Sequence, residues 1–167
     1  MLQSDNRYKV IVQCKVEGYK VKNHPFKSMM DLVVIDHEQK TIQVYDLKVT
    51  WAVESFYKEY YLYRRAYIQA YLYYNAAHKL KNDLELSGYK VLYPKFIVSD
   101  SINYYEPLIY TLSDEDISDA FNGFDCKGKF YPGVKDIIED LNWSMDMNIW
   151  NISRKNYLNN GIVNIKE

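Results

Sequence analysis

Only two cysteines, four prolines and six glycines occur among the 167 residues, and each shortage removes a class of protein. Cys14 and Cys126 stand far apart with no Cys-x-x-Cys spacing, so no zinc site, iron–sulfur cluster or disulfide framework is expected. The glycines are scattered and form no phosphate-cradling loop, which argues against a nucleoside triphosphatase. His24, His37 and His78 share no metal-ligand spacing, and no serine or cysteine sits in a recognisable nucleophile elbow. No apolar run reaches 18 residues, so no membrane span is expected. The N-terminus lacks the charged-then-apolar pattern of a secretory signal, and the expectation is an intracellular, cytoplasmic protein.

What the chain has in excess is tyrosine, 18 in all. A length of 167 residues fits a single domain, 1–167, with a real core. The net charge of −1 conceals an asymmetry. Arg7, Lys9, Lys15, Lys20, Lys22 and Lys27 outnumber Asp5 and Glu17 in residues 1–30, whereas residues 113–146 hold nine acidic groups against three lysines. A basic face near the first strands is compatible with contacting phosphates, and equally with a solvated strand edge.

Hydrophobic periodicity gives the element order β-β-β-α-β-β-α-α, a mixed α/β fold. Tyr8–Val21 alternates as a strand, with Tyr8, Val10, Val12, Cys14 and Val16 on one parity. Residues 29–35 and 41–49 read as a hairpin around the polar stretch 36–40, apolar on both faces and so expected to be covered on both sides. From Trp51 to about Glu85 the pattern is helical, with neither Gly nor Pro. Phe56, Tyr60, Tyr63, Tyr67, Tyr71 and Tyr74 form one stripe; Lys58, Leu62, Arg65, Gln69 and Tyr73 form the opposite one. Trp51 is expected to pack at the start of this helix. A β-rich run interrupted by Pro94 and a short strand at 108–112 follow. Ser113 then caps an acidic first turn, 124–132 reads as a loop, 133–149 as a last helix, and the tail from 151 as irregular.

The chemistry is concentrated in the hairpin. With the turn centred between Glu38 and Gln39, residue 36 faces 41, and Asp31 faces Asp46. Two carboxylates about 5 Å apart repel by roughly 3 kcal/mol at an effective dielectric near 20. A chain that keeps such a pair, with Lys48 two residues along the same face, is arranged to hold a divalent cation. Asp31 and Asp46 supply hard oxygen ligands suited to Mg²⁺ or Mn²⁺. The Leu47 side chain is expected in the core, with its backbone carbonyl free to ligate the metal. Lys48 sits where it can orient an attacking water or offset charge on a phosphate. Gln69 and Tyr73 lie four residues apart on one helix face, and Arg65 extends that stripe, suited to holding a nucleic-acid backbone beside the site.

These residues together resemble the PD-(D/E)XK nuclease superfamily, in its RecB-like branch with the phage lambda-type exonucleases and exodeoxyribonuclease VIII. The likeness rests on Lys27-Ser28-Met29-Met30-Asp31, Tyr45-Asp46-Leu47-Lys48-Val49-Thr50 and Tyr67-Ile68-Gln69-Ala70-Tyr71-Leu72-Tyr73, and covers roughly residues 8–112. The motif Asp-x14-Asp-x-Lys is followed, 21 residues after the lysine, by Gln-x3-Tyr. Met30 stands where that family commonly has proline, and strand-like sequence begins where a core N-terminal helix would be expected, so the expectation is a domain that lacks that helix. Glu17 is the acidic residue on the first strand that would substitute for a ligand from that helix.

The resemblance implies a restriction-endonuclease-like mixed sheet with one long helix after the third strand. It assigns metal binding and catalysis to Asp31, Asp46 and Lys48, and substrate contacts to Gln69, Tyr73 and Arg65. The implied activity is a Mg²⁺- or Mn²⁺-dependent deoxyribonuclease, an exonuclease of phage-type recombination or DNA processing, with DNA as partner, and the implied associations are a homo-oligomer or a recombination protein. Two alternatives stay open: a catalytically silent DNA- or protein-binding module, and one part of a larger split nuclease.

Overall fold

A computed structural model describes residues 7–102 and 106–163. β1 (Tyr8–Val21) and β2 (His24–Asp36) form a long antiparallel hairpin. Its two-residue turn, Lys22-Asn23, has φ of 45° and 68°, the handedness that matches strand twist. β3 (Thr41–Thr50) returns antiparallel to β2 with Asp36 opposite Thr41, the expected register. The Asp36 carboxylate closes this turn by accepting the backbone N–H groups of Glu38 and Gln39, each at 2.9 Å, and is itself held by Arg7.

A 3₁₀ turn (Val53–Ser55), a π-helical segment (Tyr57–Tyr63) and α1 (Ala66–Asp83) carry the chain back across the sheet. β4 (Lys90–Val91) and β5 (Lys95–Asp100), separated by Pro94, both run parallel to β3, and β6 (Leu108–Tyr110) is antiparallel to β5. The strand order is β1-β2-β3-β5-β6, with β4 also on β3. α2 (Asp114–Asn122), the small hairpin β7 (Phe124–Cys126) and β8 (Lys129–Tyr131), α3 (Val134–Met147) and α4 (Arg154–Leu158) follow. The fold is therefore mixed α/β, with a six-stranded mixed sheet. Among the described residues, no helix is long and apolar enough to cross a membrane.

α1 docks closely because its buried side is studded with alanine: Ala66, Ala70, Ala76 and Ala77 combine high helix propensity with little bulk. Met30, Val33, Ile35, Ile42 and Val44 of the sheet pack beneath its C-terminal half, and Phe96 and Val98 beneath its N-terminal half. Ser113 caps α2 as its acidic first turn implies: Oγ accepts from the Asp116 N–H, while the Asp116 carboxylate accepts from the Ser113 N–H at 2.8 Å.

Several expectations need correction. The helix expected over 51–85 is broken, because Arg65 adopts φ +57° between the π-helical segment and α1. The break resets the phase, so the aromatic stripe does not persist: Phe56 and Tyr67 are buried, but Tyr63 is exposed. The strand parity of β1 also switches. Gln13 sits at φ +51°, unpaired with Asp31, so Val10 and Val12 are exposed whereas Cys14 and Val16 are buried. The segment 124–132 is a hairpin, turned by Lys127-Gly128 at positive φ, and α4 occupies part of the tail expected to be irregular.

Cover on both faces of the hairpin is not found either. Helices lie on one face, and on the other Leu47 is 51% exposed, not in the core, because the described residues place no element over it. Trp51 is likewise exposed rather than packed. The N-terminal helix sought from the resemblance would precede β1, outside the described residues.

Candidate active site

The ladder between β2 and β3 ends at Leu32 opposite Tyr45, one pair short of the expected Asp31–Asp46 pair. Beyond it β3 continues against β5 while β2 stays with β1, so the two strands diverge. Backbone groups released at such a divergence need new partners. Asp31 provides one: its Oδ2 accepts the Leu47 N–H at 2.9 Å, standing in for a ladder bond. Tyr73 of α1 provides another, its hydroxyl donating to the Met29 carbonyl at 2.6 Å.

Asp46 lies on the helix-covered face of β3 and is 1% exposed. Its Oδ1 accepts from Gln69 Nε2 at 2.9 Å. Its Oδ2 is buried and has no hydrogen bond of regular geometry; the Lys48 ammonium lies against it as an ion pair, a contact of charge rather than directed donation. Burial pushes the Asp46 carboxyl above the ordinary aspartate range. The Lys48 ammonium opposes that rise, and the adjacent Asp31 carboxyl adds to it. The two carboxyls are thus neighbours in this opening, although no ladder pair joins them.

Lys48 Nζ also donates to Gln69 Oε1 at 3.1 Å, and Gln69 Nε2 donates to the Tyr73 hydroxyl at 2.8 Å. Both amide hydrogens and the amide oxygen of Gln69 are therefore engaged, which fixes its orientation. Burial raises the Tyr73 hydroxyl to about 12, keeping it a neutral donor near pH 7. Asp31, Asp46, Lys48, Gln69 and Tyr73 thus form one connected network.

Two anticipated residues stand apart from this network. Glu17 is exposed and ion-paired with Lys15 at 2.8 Å, opposite Lys27 on the β1–β2 hairpin. The structure does not bring it to Asp31 and Asp46: among the described residues no three of His, Cys, Asp and Glu gather at one point. Arg65 is exposed and lines a cleft of about 530 Å³ whose wall includes Gln69 and Tyr73. That cleft also gathers Lys27 and Arg64, to which the motif reading gave no role. The Arg64-Arg65 dipeptide was a visible signal, but its effect depends on the left-handed backbone at Arg65, which turns the chain between the π-helical segment and α1. Arg64 stacks on the ring of Tyr60, whose hydroxyl bonds the Val49 carbonyl at 3.0 Å, tying the basic rim to the end of β3.

Asp31 and Asp46 bring two carboxyl groups to the opening against the single ammonium of Lys48. Hard oxygen donors and a buried carboxylate oxygen that has an ion pair but no regular hydrogen bond fit a divalent cation. The Leu47 carbonyl adjoins them in sequence. Magnesium, which is commonly held by one or two carboxylates with water and substrate phosphate completing its shell, suits a two-carboxylate site. No protein-family model matches the chain, and no curated protein is significantly similar to it.

Proposed function

We propose that the chain is a Mg²⁺- or Mn²⁺-dependent deoxyribonuclease of the PD-(D/E)XK type, an intracellular exonuclease acting on DNA in recombination or DNA processing. One observation carries the reading: three separated stretches of chain meet at one point, where hydrogen bonds and an ion pair join Asp46, Lys48, Gln69 and Tyr73, and Asp31 accepts from the Leu47 N–H that lies between Asp46 and Lys48 in sequence.

Asp31 and Asp46, with the Leu47 carbonyl, are the groups that would hold the cation. When bound, a divalent cation polarises a phosphoryl oxygen and favours deprotonation of water at neutral pH. The remaining work falls to side chains. Lys48 holds its ammonium beside the Asp46 carboxylate, where it orients the attacking water and offsets charge developing on the phosphate. Gln69 fixes the Asp46 carboxylate and the Lys48 ammonium together, and Tyr73 fixes Gln69. Lys27, Arg64 and Arg65 line the adjoining cleft and supply cations for the phosphates of the bound strand.

A cleavage assay on linear and circular duplex DNA, with Mg²⁺, Mn²⁺ or chelator, tests this. The expected result is degradation of linear DNA alone, dependent on the cation and lost in Asp46→Asn. Retained DNA binding with no cation uptake would instead identify a silent binding module.

A further inference from the structure

The sheet face opposite the site is apolar across its width. Strand register aligns Val12, Leu32 and Tyr45 in one row, and Leu47, Ile97 and Ile109 in the next. Val12 is 68% and Ile109 59% exposed, and Val10 and Val49 extend the patch at either end. Among the described residues no helix covers this face. Its charged side chains lie at the margins: Lys95, in register with Tyr45 at the start of β5, and the mutually paired Lys15 and Glu17 beyond the change of parity on β1.

We propose that this face packs against the same face of a second copy of the chain, giving a two-fold dimer with both clefts pointing outward. The area supports this occupant. Val10, Val12, Leu47, Val49 and Ile109 are each half to two-thirds exposed and present on the order of 100 Å², and the partly exposed Leu32, Tyr45 and Ile97 bring the face to roughly 600 Å² per copy. That is at the upper end of what monomers leave bare, about 300–600 Å². Two copies would bury about 1,200 Å² in total, which reaches the range of specific interfaces.

The chemistry of the face also favours a copy of itself. Its centre carries no fixed charge that would select a charged partner or repel an identical one across a two-fold axis. β-Branched and aliphatic residues on a twisted sheet pack well on another such sheet about 10 Å away. Pairing through the edge of β1 is the competing route, but Lys9, Lys15 and Lys20 and a register shift between Glu17 and Tyr19 guard that edge. The active site lies on the other side of β3, because Asp46 and Lys48 alternate with Leu47 and Val49.

Sedimentation velocity of the full chain across low- to high-micromolar concentrations tests the proposal. The expected result is a reversible dimer that Val12→Lys and, separately, Ile109→Lys convert to a monomer with unchanged helical content. Both positions are already solvent-exposed in a single chain, so a folded monomer tolerates the charge. A wild-type chain that stays monomeric throughout, its face covered by another partner or by none, would overturn the proposal. A dimer indifferent to both substitutions would overturn it as well, by moving the contact to an edge. Cleavage has no part in this readout, so a failure here leaves the nuclease reading standing, and the reverse.

Discussion

Gln69 Nε2 donates to Asp46 Oδ1 at 2.9 Å across 23 positions of sequence, and the same amide accepts from Lys48 and donates to Tyr73. One side chain on α1 therefore sets the attitude of both charged groups on β3. Removing it leaves the Asp46 carboxylate free to rotate and takes an acceptor from the Lys48 ammonium. Loss of such an orienting partner typically costs about 10–100-fold in metal affinity or activity. Gln69→Ala should weaken Mg²⁺ binding by that amount, measured by titration calorimetry, with the fold intact by circular dichroism.

Lys48 answers a different question, because it offers charge to the reaction and not a ligand to the metal. Lys48→Ala should lower kcat by about 10²–10³, the usual cost of deleting one electrostatic stabiliser, while KM changes little. Single-turnover cleavage under saturating DNA measures this. Wild-type rates in the variant would remove Lys48 from the mechanism.

Asp46 is where function and stability oppose each other. Burial raises its carboxyl in the folded chain, so the native state holds that proton more tightly than the unfolded state does. The native state is therefore favoured at pH below the unfolded value of about 3.9, and that advantage disappears as pH rises through the raised folded value. At neutral pH without cation, ionised Asp46 costs stability. Asp46→Asn should therefore stabilise the cation-free protein by about 1–2 kcal/mol, or roughly 2–6 °C in Tm, while abolishing cleavage. The gain should shrink as pH falls and the wild-type carboxyl takes up its proton. Mg²⁺ should raise the Tm of wild type but not of the variant, and paired thermal melts with and without Mg²⁺ check both statements.

Most of the candidate site was legible because it rests on periodicities that tertiary packing does not alter. Asp46 and Lys48 share a face by strand alternation, Gln69 and Tyr73 by helix pitch, and the turn at Asp36 sets the register that brings Asp31 alongside. What escaped lies outside those periods. Nothing in the composition of 51–85, free of Gly and Pro, signals that Arg65 turns left-handed, and so neither the exposure of Tyr63 nor the place of Arg64 on the cleft follows. The reversal of parity at Gln13 is equally local and silent. The exposure of Leu47 is a different kind of miss: a strand apolar on both faces has the pattern of one covered on both sides, and only the placement of helices decides.

Arg65 separates backbone from charge in one position. A non-glycine residue at φ +57° pays about 1–2 kcal/mol for that conformation, a strain that glycine lacks and alanine keeps. Arg65→Gly should therefore raise Tm by roughly 2–4 °C, and Arg65→Ala should not. Both variants delete a cation that lines the cleft. Both should weaken DNA binding alike, lower the slope of log K against log salt by about 1, and leave single-turnover cleavage at saturating DNA unchanged. Fluorescence anisotropy across a salt series reads the slope, and calorimetry reads Tm. Should the glycine variant gain stability yet bind DNA as wild type does, Arg65 would be only the pivot between the π-helical segment and α1, and the phosphate contact would rest on Arg64 and Lys27.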